Sequence, residues 1–358
     1  MPTTQTTTHG LSRRLFLHHA ALSGVSLAAL SAIPASALAS VLQPAGEAPP
    51  PVGVLGWKTL QKDIYAIADQ TMGGNTLLVA SQGKALLVDT KYPYLGGALL
   101  SDAAGLIDAD LTKSDSIELT LINTHHHGDH TGGNAIIVPS ASASYAHANA
   151  IPRIKAQLER YVQGAKAGPS QLARTKADEQ LMPFAKAAAE ACESWTEKTA
   201  VPKIAISGSG NTLSIGGITV SSHHFGAGHT DNDLVIHLPE HNIVHTGDLV
   251  FNGLHPFFDP DANATARGWI ESLKQTRKLC NAETTVVPGH GPIATGPAII
   301  ETQIRYFEQL IEAIQTEIEK GTPKDELVEM SWEFMDGLGF DQIRGRMIAG
   351  VYDELTDA

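Results

Sequence analysis

The run Thr124-His125-His126-His127-Gly128-Asp129-His130-Thr131-Gly132-Gly133-Asn134 restricts sharply what this chain can become. It packs four imidazoles and a carboxylate into one turn, and these are the ligands that zinc and neighbouring transition metals take. Leu119, Leu121 and Ile122, interleaved with Thr120 and Asn123, read as a short strand leading into it. The glycines that follow let the backbone turn tightly. His125 and His127 lie two apart, so on extended backbone they point the same way. Asp129 and His130 follow at once and can face a second centre beside the first.

Most other informative residues are placed to complete this turn. After an alternating β pattern through Leu213, Ile215, Ile218 and Val220 comes a glycine-rich loop around one histidine, Phe225-Gly226-Ala227-Gly228-His229-Thr230. A hairpin over residues 234–245 then runs directly into Thr246-Gly247-Asp248. Residues 285–291, Thr285-Val286-Val287-Pro288-Gly289-His290-Gly291, form a strand that ends in a glycine-flanked histidine. All three loops share one form: an apolar strand, a tight glycine turn and one ligand-type side chain.

The string H-x-H-x-D-H followed by T-G-G-N resembles the signature of the metallo-β-lactamase superfamily, and in its longer form the glyoxalase II-like and general metallo-hydrolase branches. The later G-H-T, T-G-D and G-H-G motifs occur in the family's order, and the resemblance spans roughly residues 60 to 295. It implies an α/β fold, an αββα sandwich of two mixed β-sheets flanked by helices. It also implies a ligand set. His125, His127 and His229 take one metal, Asp129, His130 and His290 take the other, and Asp248 bridges them. His126 points away, and Asp89 supports the metal loop without ligating.

The implied cofactor is two zinc ions per chain, with iron or manganese as other metals such ligands accept. The implied chemistry is attack by a metal-bridging hydroxide on an ester, thioester, lactone or amide-like bond, with Asp129 orienting the hydroxide. β-Lactamase branches usually carry Cys or Ser where this chain has Asp248, whereas glyoxalase II and lactonase branches carry Asp. The continuation from Leu249 to Phe257 departs from glyoxalase II, and no basic clamp for glutathione is evident. His255 and Phe257 are candidates for the substrate pocket. The alternatives are a mononuclear-iron oxidoreductase of the persulfide dioxygenase kind, and β-lactamase or phosphodiesterase activity on the same fold. A binding protein without activity would usually have lost a ligand, and none is missing. His147, His223, His224, His237, His241 and His245 are read as ordinary histidines, because the metal sites fill without them.

The start of the chain carries Ser12-Arg13-Arg14-Leu15-Phe16-Leu17, an apolar run over residues 20–32, and Ala35-Ser36-Ala37-Leu38-Ala39. A basic region, an apolar region and an A-x-A site make a cleavable export signal over residues 1–39, resembling a twin-arginine leader. This predicts passage through the Tat machinery, cleavage near Ala39 and a periplasmic or secreted protein. The apolar run is short for a span, so no stable membrane anchor is expected. The net charge of -13 disfavours nucleic acid as a partner and leaves a small-molecule substrate. Cys192 and Cys280 sit in no ligand spacing and are read as structural.

Residues 40–56, rich in proline and glycine, read as a linker, and residues 57–295 as the catalytic domain. That domain opens on a hairpin over residues 75–90, followed by a helix over 95–112. A helical insertion over about 149–200 is read as two helices broken at Gly168-Pro169. Residues 296–358 read as C-terminal helices packed on the same domain. Ile304, Phe307, Ile311, Ile314 and Ile318 give the first an apolar face, and Gly321 stops it.

Overall fold

The computed structural model describes residues 53–69, 72–107, 118–175 and 179–356. The leader over residues 1–39 lies outside the described residues, as does most of the proposed linker. Two sheets carry the architecture. The first holds β1 (Lys58–Gln61), β2 (Ile64–Ile67), β3 (Thr76–Ser81), β4 (Lys84–Val88), β5 (Glu118–Ile122), β6 (Ala143–His147) and β7 (Ile204–Ile206), in that spatial order. Its first four strands are antiparallel neighbours, and β4 to β7 run parallel. The second holds β8 (Ser209–Ile215), β9 (Ile218–His223), β10 (Val235–Leu238), β11 (Ile243–His245), β12 (Thr285–Val287) and β13 (Ala294–Thr295). Only β11 and β12 are parallel there; the other pairs are antiparallel.

Near-continuous apolar runs in β3, β4, β10 and β11 have one cause: both faces of these strands are covered. Leu77, Val79, Leu86 and Val88 point inward to meet Val220, Ile236, Leu238 and Ile243 of the other sheet. Leu78, Leu87, Leu119 and Leu121 point outward, against Leu95, Ala98 and Leu99 at the start of helix α1 (Gly96–Leu106). On the far side, Val235, Val244 and Val286 pack against α4 (Ala266–Lys278), α5 (Ala298–Lys320) and α6 (Arg344–Thr356) through Trp269, Phe307 and Met347. The layers are helix, sheet, sheet, helix. Each fully buried Leu or Ile contributes about 1.5–3 kcal/mol.

The insertion contains α2 (Leu158–Thr175) and α3 (Met182–Ala191). The expected break at Gly168-Pro169 does not occur, since α2 runs through Pro169. Gly168 is needed for packing: a Cβ there would stand 2.4 Å from Cβ of Tyr94. The described end of the predicted 95–112 helix is Leu106, and residues 108–117 lie outside the description. Residues 53–56 are no linker. The amides of Val54 and Leu55 donate to the Asp102 carboxylate at 3.1 and 2.8 Å, and Leu55 is buried. On α5 the buried stripe is Ile300, Tyr306, Phe307, Leu310 and Ile314, rotated from the isoleucine stripe read in the sequence. Gly321 does end it, with φ of 80°. Cys192 and Cys280 are buried free thiols. Among the described residues, no helix is long and apolar enough to cross a membrane.

Candidate metal centre

The catalytic candidates sit at one end of the two sheets, where β5, β11 and β12 run out and where β9 turns into β10. His127 has extended backbone and caps the one-turn helix Gly128–Thr131, so the chain reverses immediately after the histidine run. Thr131 Oγ1 closes the turn by donating to the His127 carbonyl at 2.8 Å.

The loops converge on seven side chains. His127 Nδ1 lies 3.1 Å from His125 Nε2 and 2.9 Å from His229 Nε2. His290 Nε2 lies 3.2 Å from Asp129 Oδ2 and 3.4 Å from His130 Nε2. Asp248 stands between the two triads. Its Oδ2 is 3.5 Å from His229 Nε2 and 3.3 Å from His290 Nε2, and its Oδ1 is 3.0 Å from His130 Nε2. Two sets, His125, His127, His229 with Asp248 and Asp129, His130 with His290, each bring their ligand atoms within 4.8 Å of one another.

The supporting hydrogen bonds decide which nitrogen each ring presents. His229 Nδ1 donates to the Phe257 carbonyl at 2.7 Å, and His127 Nε2 donates to Asp259 Oδ2 at 2.8 Å. His130 Nδ1 donates to Asp89 Oδ2 at 2.8 Å. Thr124 Oγ1 donates to the same oxygen at 2.7 Å and accepts from His125 Nδ1 at 3.1 Å. A neutral ring that donates from one nitrogen offers a lone pair at the other. The inward nitrogens of His127 and His229 therefore face each other as bare lone pairs at 2.9 Å, an arrangement that a shared cation stabilises. His290 Nδ1 is buried with no hydrogen-bond partner. The donor chemistry and the facing lone pairs of His127 and His229 both fit metal ions.

The electrostatics of the metal-free protein differ between the halves. Burial drives the His125 imidazole well below its ordinary value and His229 down to about 3. Burial also opposes charge on His130 and His290. There Asp248 and Asp129 prevail, so His130 is held well above the ordinary imidazole range and His290 at about 9. Asp248 and Asp129 are themselves held low, because neighbouring histidines outweigh their burial.

Two glycines clear the space. A Cβ on Gly289 would lie 2.0 Å from Asp248 Oδ1, and one on Gly74 would lie 2.1 Å from the His130 ring. Asp89 holds the loop from a left-handed backbone (φ 65°), which aspartate tolerates better than most residues, and accepts the Thr124 amide at 2.8 Å.

His126 turns aside to Asn232, with burial lowering its pKa to about 3. His147 stacks on His224 at 4.2 Å, and buried His245 lies 3.3 Å from the Asn75 carbonyl. Phe257 lines the 380 Å³ cavity that opens onto Asp129, Asp248 and His290. His255 does not, which corrects the pocket expectation. It is 1% exposed and bonded to the Tyr306 hydroxyl at 2.8 Å, because the chain after Phe251 turns inward under α5. Asp259 escaped the sequence reading. A single acid between Phe258 and Pro260 carries no pattern, and only the fold brings it to His127.

A family model described as the metallo-beta-lactamase superfamily matches residues 70–290. The metallo-beta-lactamase type 2 of Bacillus cereus is 29% identical over 90 residues, covering 25% of this chain and 35% of that protein. Its namesake from Bacteroides fragilis is 26% identical over 102 residues, covering 28% and 41%. The match thus spans about a third of the first relative's length. The crystal structure of a metallo-beta-lactamase family protein from Thermus thermophilus superposes with a TM-score of 0.56 at 18% identity, over 84% of this chain and 96% of that one. At that identity the likeness is one of fold.

Proposed function

The chain belongs to the metallo-beta-lactamase superfamily, and we propose that it is an exported dinuclear zinc hydrolase cleaving an ester, thioester, lactone or amide-like bond. The observation that carries this reading is Asp248, whose two oxygens lie within 3.0–3.5 Å of His130, His229 and His290, ligand candidates of both sets. Two bound divalent ions would lower the pKa of a water between them and polarise a carbonyl.

The chain's own residues supply the rest. His125, His127 and His229 would hold one ion, Asp129, His130 and His290 the other, and Asp248 both. The Asp129 carboxylate faces the cavity and accepts a hydrogen bond from the attacking water, fixing its direction. Asp89, Thr124 and Asp259 keep the imidazoles in the required tautomers. Phe251, Phe257 and Phe340 line the cavity and limit water around the reacting bond. Asp at position 248 agrees with the glyoxalase II-like and lactonase branches. The arginine pair at Arg13-Arg14 with its apolar run supports Tat export to the periplasm. A second reading, lactam cleavage, rests on the names of the relatives from B. cereus and B. fragilis.

The test is a hydrolysis panel of thioesters, lactones, β-lactams and phosphodiesters on the zinc-loaded protein, with Asp248→Ala alongside. Turnover of one carbonyl class that disappears in the variant is expected. Full turnover by the variant, or oxygen consumption with one bound iron, contradicts the reading.

A further inference from the structure

We propose that Arg160 recognises an anion at the entrance to this site, so that the substrate carries a carboxylate on an apolar or aromatic body. The inference builds on the hydrolase reading above. Three hollows adjoin: one of 380 Å³ over Asp129, Asp248 and His290, one of 660 Å³ running along α2, and one of 430 Å³ beside His127 and Asp259. Gln157 and Arg160 line all three. A molecule with its reacting bond at the metal centre therefore passes the Arg160 guanidinium, whichever hollow holds its remainder.

The other arginines around these hollows are engaged. Arg153 donates to Asp231 and to the Asp261 carbonyl, both at 2.8 Å. Arg346 lies 4.6 Å over the Phe257 ring and 3.7 Å from Asp259. Arg174 donates to the Ser170 carbonyl at 3.2 Å. The Gln157 amide donates to the His126 carbonyl at 2.7 Å. Arg160 is exposed, and its side chain has no hydrogen bond, ion pair or ring contact among the described residues. In a chain of net charge -13, a guanidinium without an acidic partner at the rim of a catalytic cavity is out of keeping with its surroundings.

The 660 Å³ hollow supplies the other half of the specificity. Its wall is Tyr92, Pro93, Tyr94 and Tyr161, with Tyr92 and Tyr94 stacked at 5.8 Å. Asp129, the one acid on that wall, belongs to the metal set. A guanidinium fork pairs with a carboxylate through two parallel N–H donors, and the tyrosine wall takes an apolar body. Asp129 and Asp259 on neighbouring walls favour a singly charged group over a phosphate monoester.

The test compares binding of 4-phenylbutyrate and 4-phenylbutyramide to the zinc-loaded protein by calorimetry, in wild type, Arg160→Ala and Arg160→Lys. The carboxylate Kd is expected to rise about 5- to 10-fold in Arg160→Ala and less in Arg160→Lys, with the amide Kd unchanged. Equal carboxylate Kd values in wild type and Arg160→Ala, or no carboxylate binding by wild type, overturn the assignment. Hydrolysis is read separately with the 4-nitrophenyl monoester of glutaric acid against 4-nitrophenyl pentanoate. Arg160→Ala should raise KM for the acidic ester alone and leave kcat in place. An inactive wild type that still shows Arg160-dependent binding sinks the hydrolase reading and keeps the anion site; an active one with Arg160-independent binding does the reverse.

Discussion

Asp259 Oδ2 accepts a 2.8 Å hydrogen bond from His127 Nε2, and that bond turns Nδ1 of the same ring toward His125 and His229. Burial works against charge on Asp259, but His127 and His126 beside it hold its pKa at about 2. The carboxylate therefore stays ionised throughout the neutral range. Asp259→Ala should weaken metal binding at the His125, His127 and His229 set by about 10- to 100-fold, leaving the Asp129, His130 and His290 set little changed. Competition with a calibrated chelator measures both. Equal losses at the two sets would remove the orienting role.

Gly289 is set by clearance rather than by φ. A methyl group at that position would stand 2.0 Å from Asp248 Oδ1 and 2.6 Å from the Gly247 carbonyl carbon, which is backbone and cannot swing away. Gly289→Ala should displace Asp248 and lower kcat by at least about 100-fold, since that carboxylate stands between both candidate ligand sets. The check is steady-state kinetics with metal analysis of the same sample; wild-type kcat would show that the strand end yields at no cost.

The two halves of the centre should load differently with pH. His125 and His229 are held low, so both are neutral at pH 7 and give up no proton to a metal. His290 stands at about 9 and His130 is also raised, so the metal-free protein keeps protons there. Affinity at the second set should rise with pH, by about tenfold per unit for each proton displaced, with the His290 contribution levelling off above about 9. Calorimetry in buffers of different ionisation enthalpy counts those protons. The sign reverses for folding of the metal-free protein. A raised histidine stabilises the metal-free protein below its ordinary pKa of 6.5, and that contribution is lost as pH climbs through about 9. The Tm of metal-free protein should therefore fall across this window, and that of the loaded protein should not follow it.

Trp269 ties the second sheet's helical layer to the metal loop. Its indole donates to the Leu249 carbonyl at 2.9 Å, and its ring lies 5.3 Å from that of His229 and 4.5 Å from that of Phe307. Trp269→Ala should cost about 3–5 kcal/mol of stability, read from urea unfolding of metal-loaded protein. A loss below about 1 kcal/mol would mean that the layer closes around the gap.

The metal candidates were legible because each sits where an apolar strand meets a glycine turn, a local pattern that survives in sequence. The strands of the opening hairpin were legible as apolar runs around a glycine turn, whereas the two-sheet layering came from the resemblance that the metal motifs carry. What stayed hidden depends on long-range contact. Asp259 is 132 positions from His127 in sequence. Residues 53–56 look like spacer until Asp102 captures their amides. Gly168-Pro169 reads as a break, whereas the glycine's closeness to Tyr94 explains it. His255 lies near the pocket in sequence, yet the backbone turns it toward Tyr306.

Metal content read together with turnover tests the centre most directly. Protein purified and dialysed without chelator should carry about two divalent ions per chain, lose hydrolysis when both are stripped and regain it on adding zinc, while Asp248→Ala retains fewer ions and no turnover. Turnover that persists unchanged after complete chelation would contradict the account at its root.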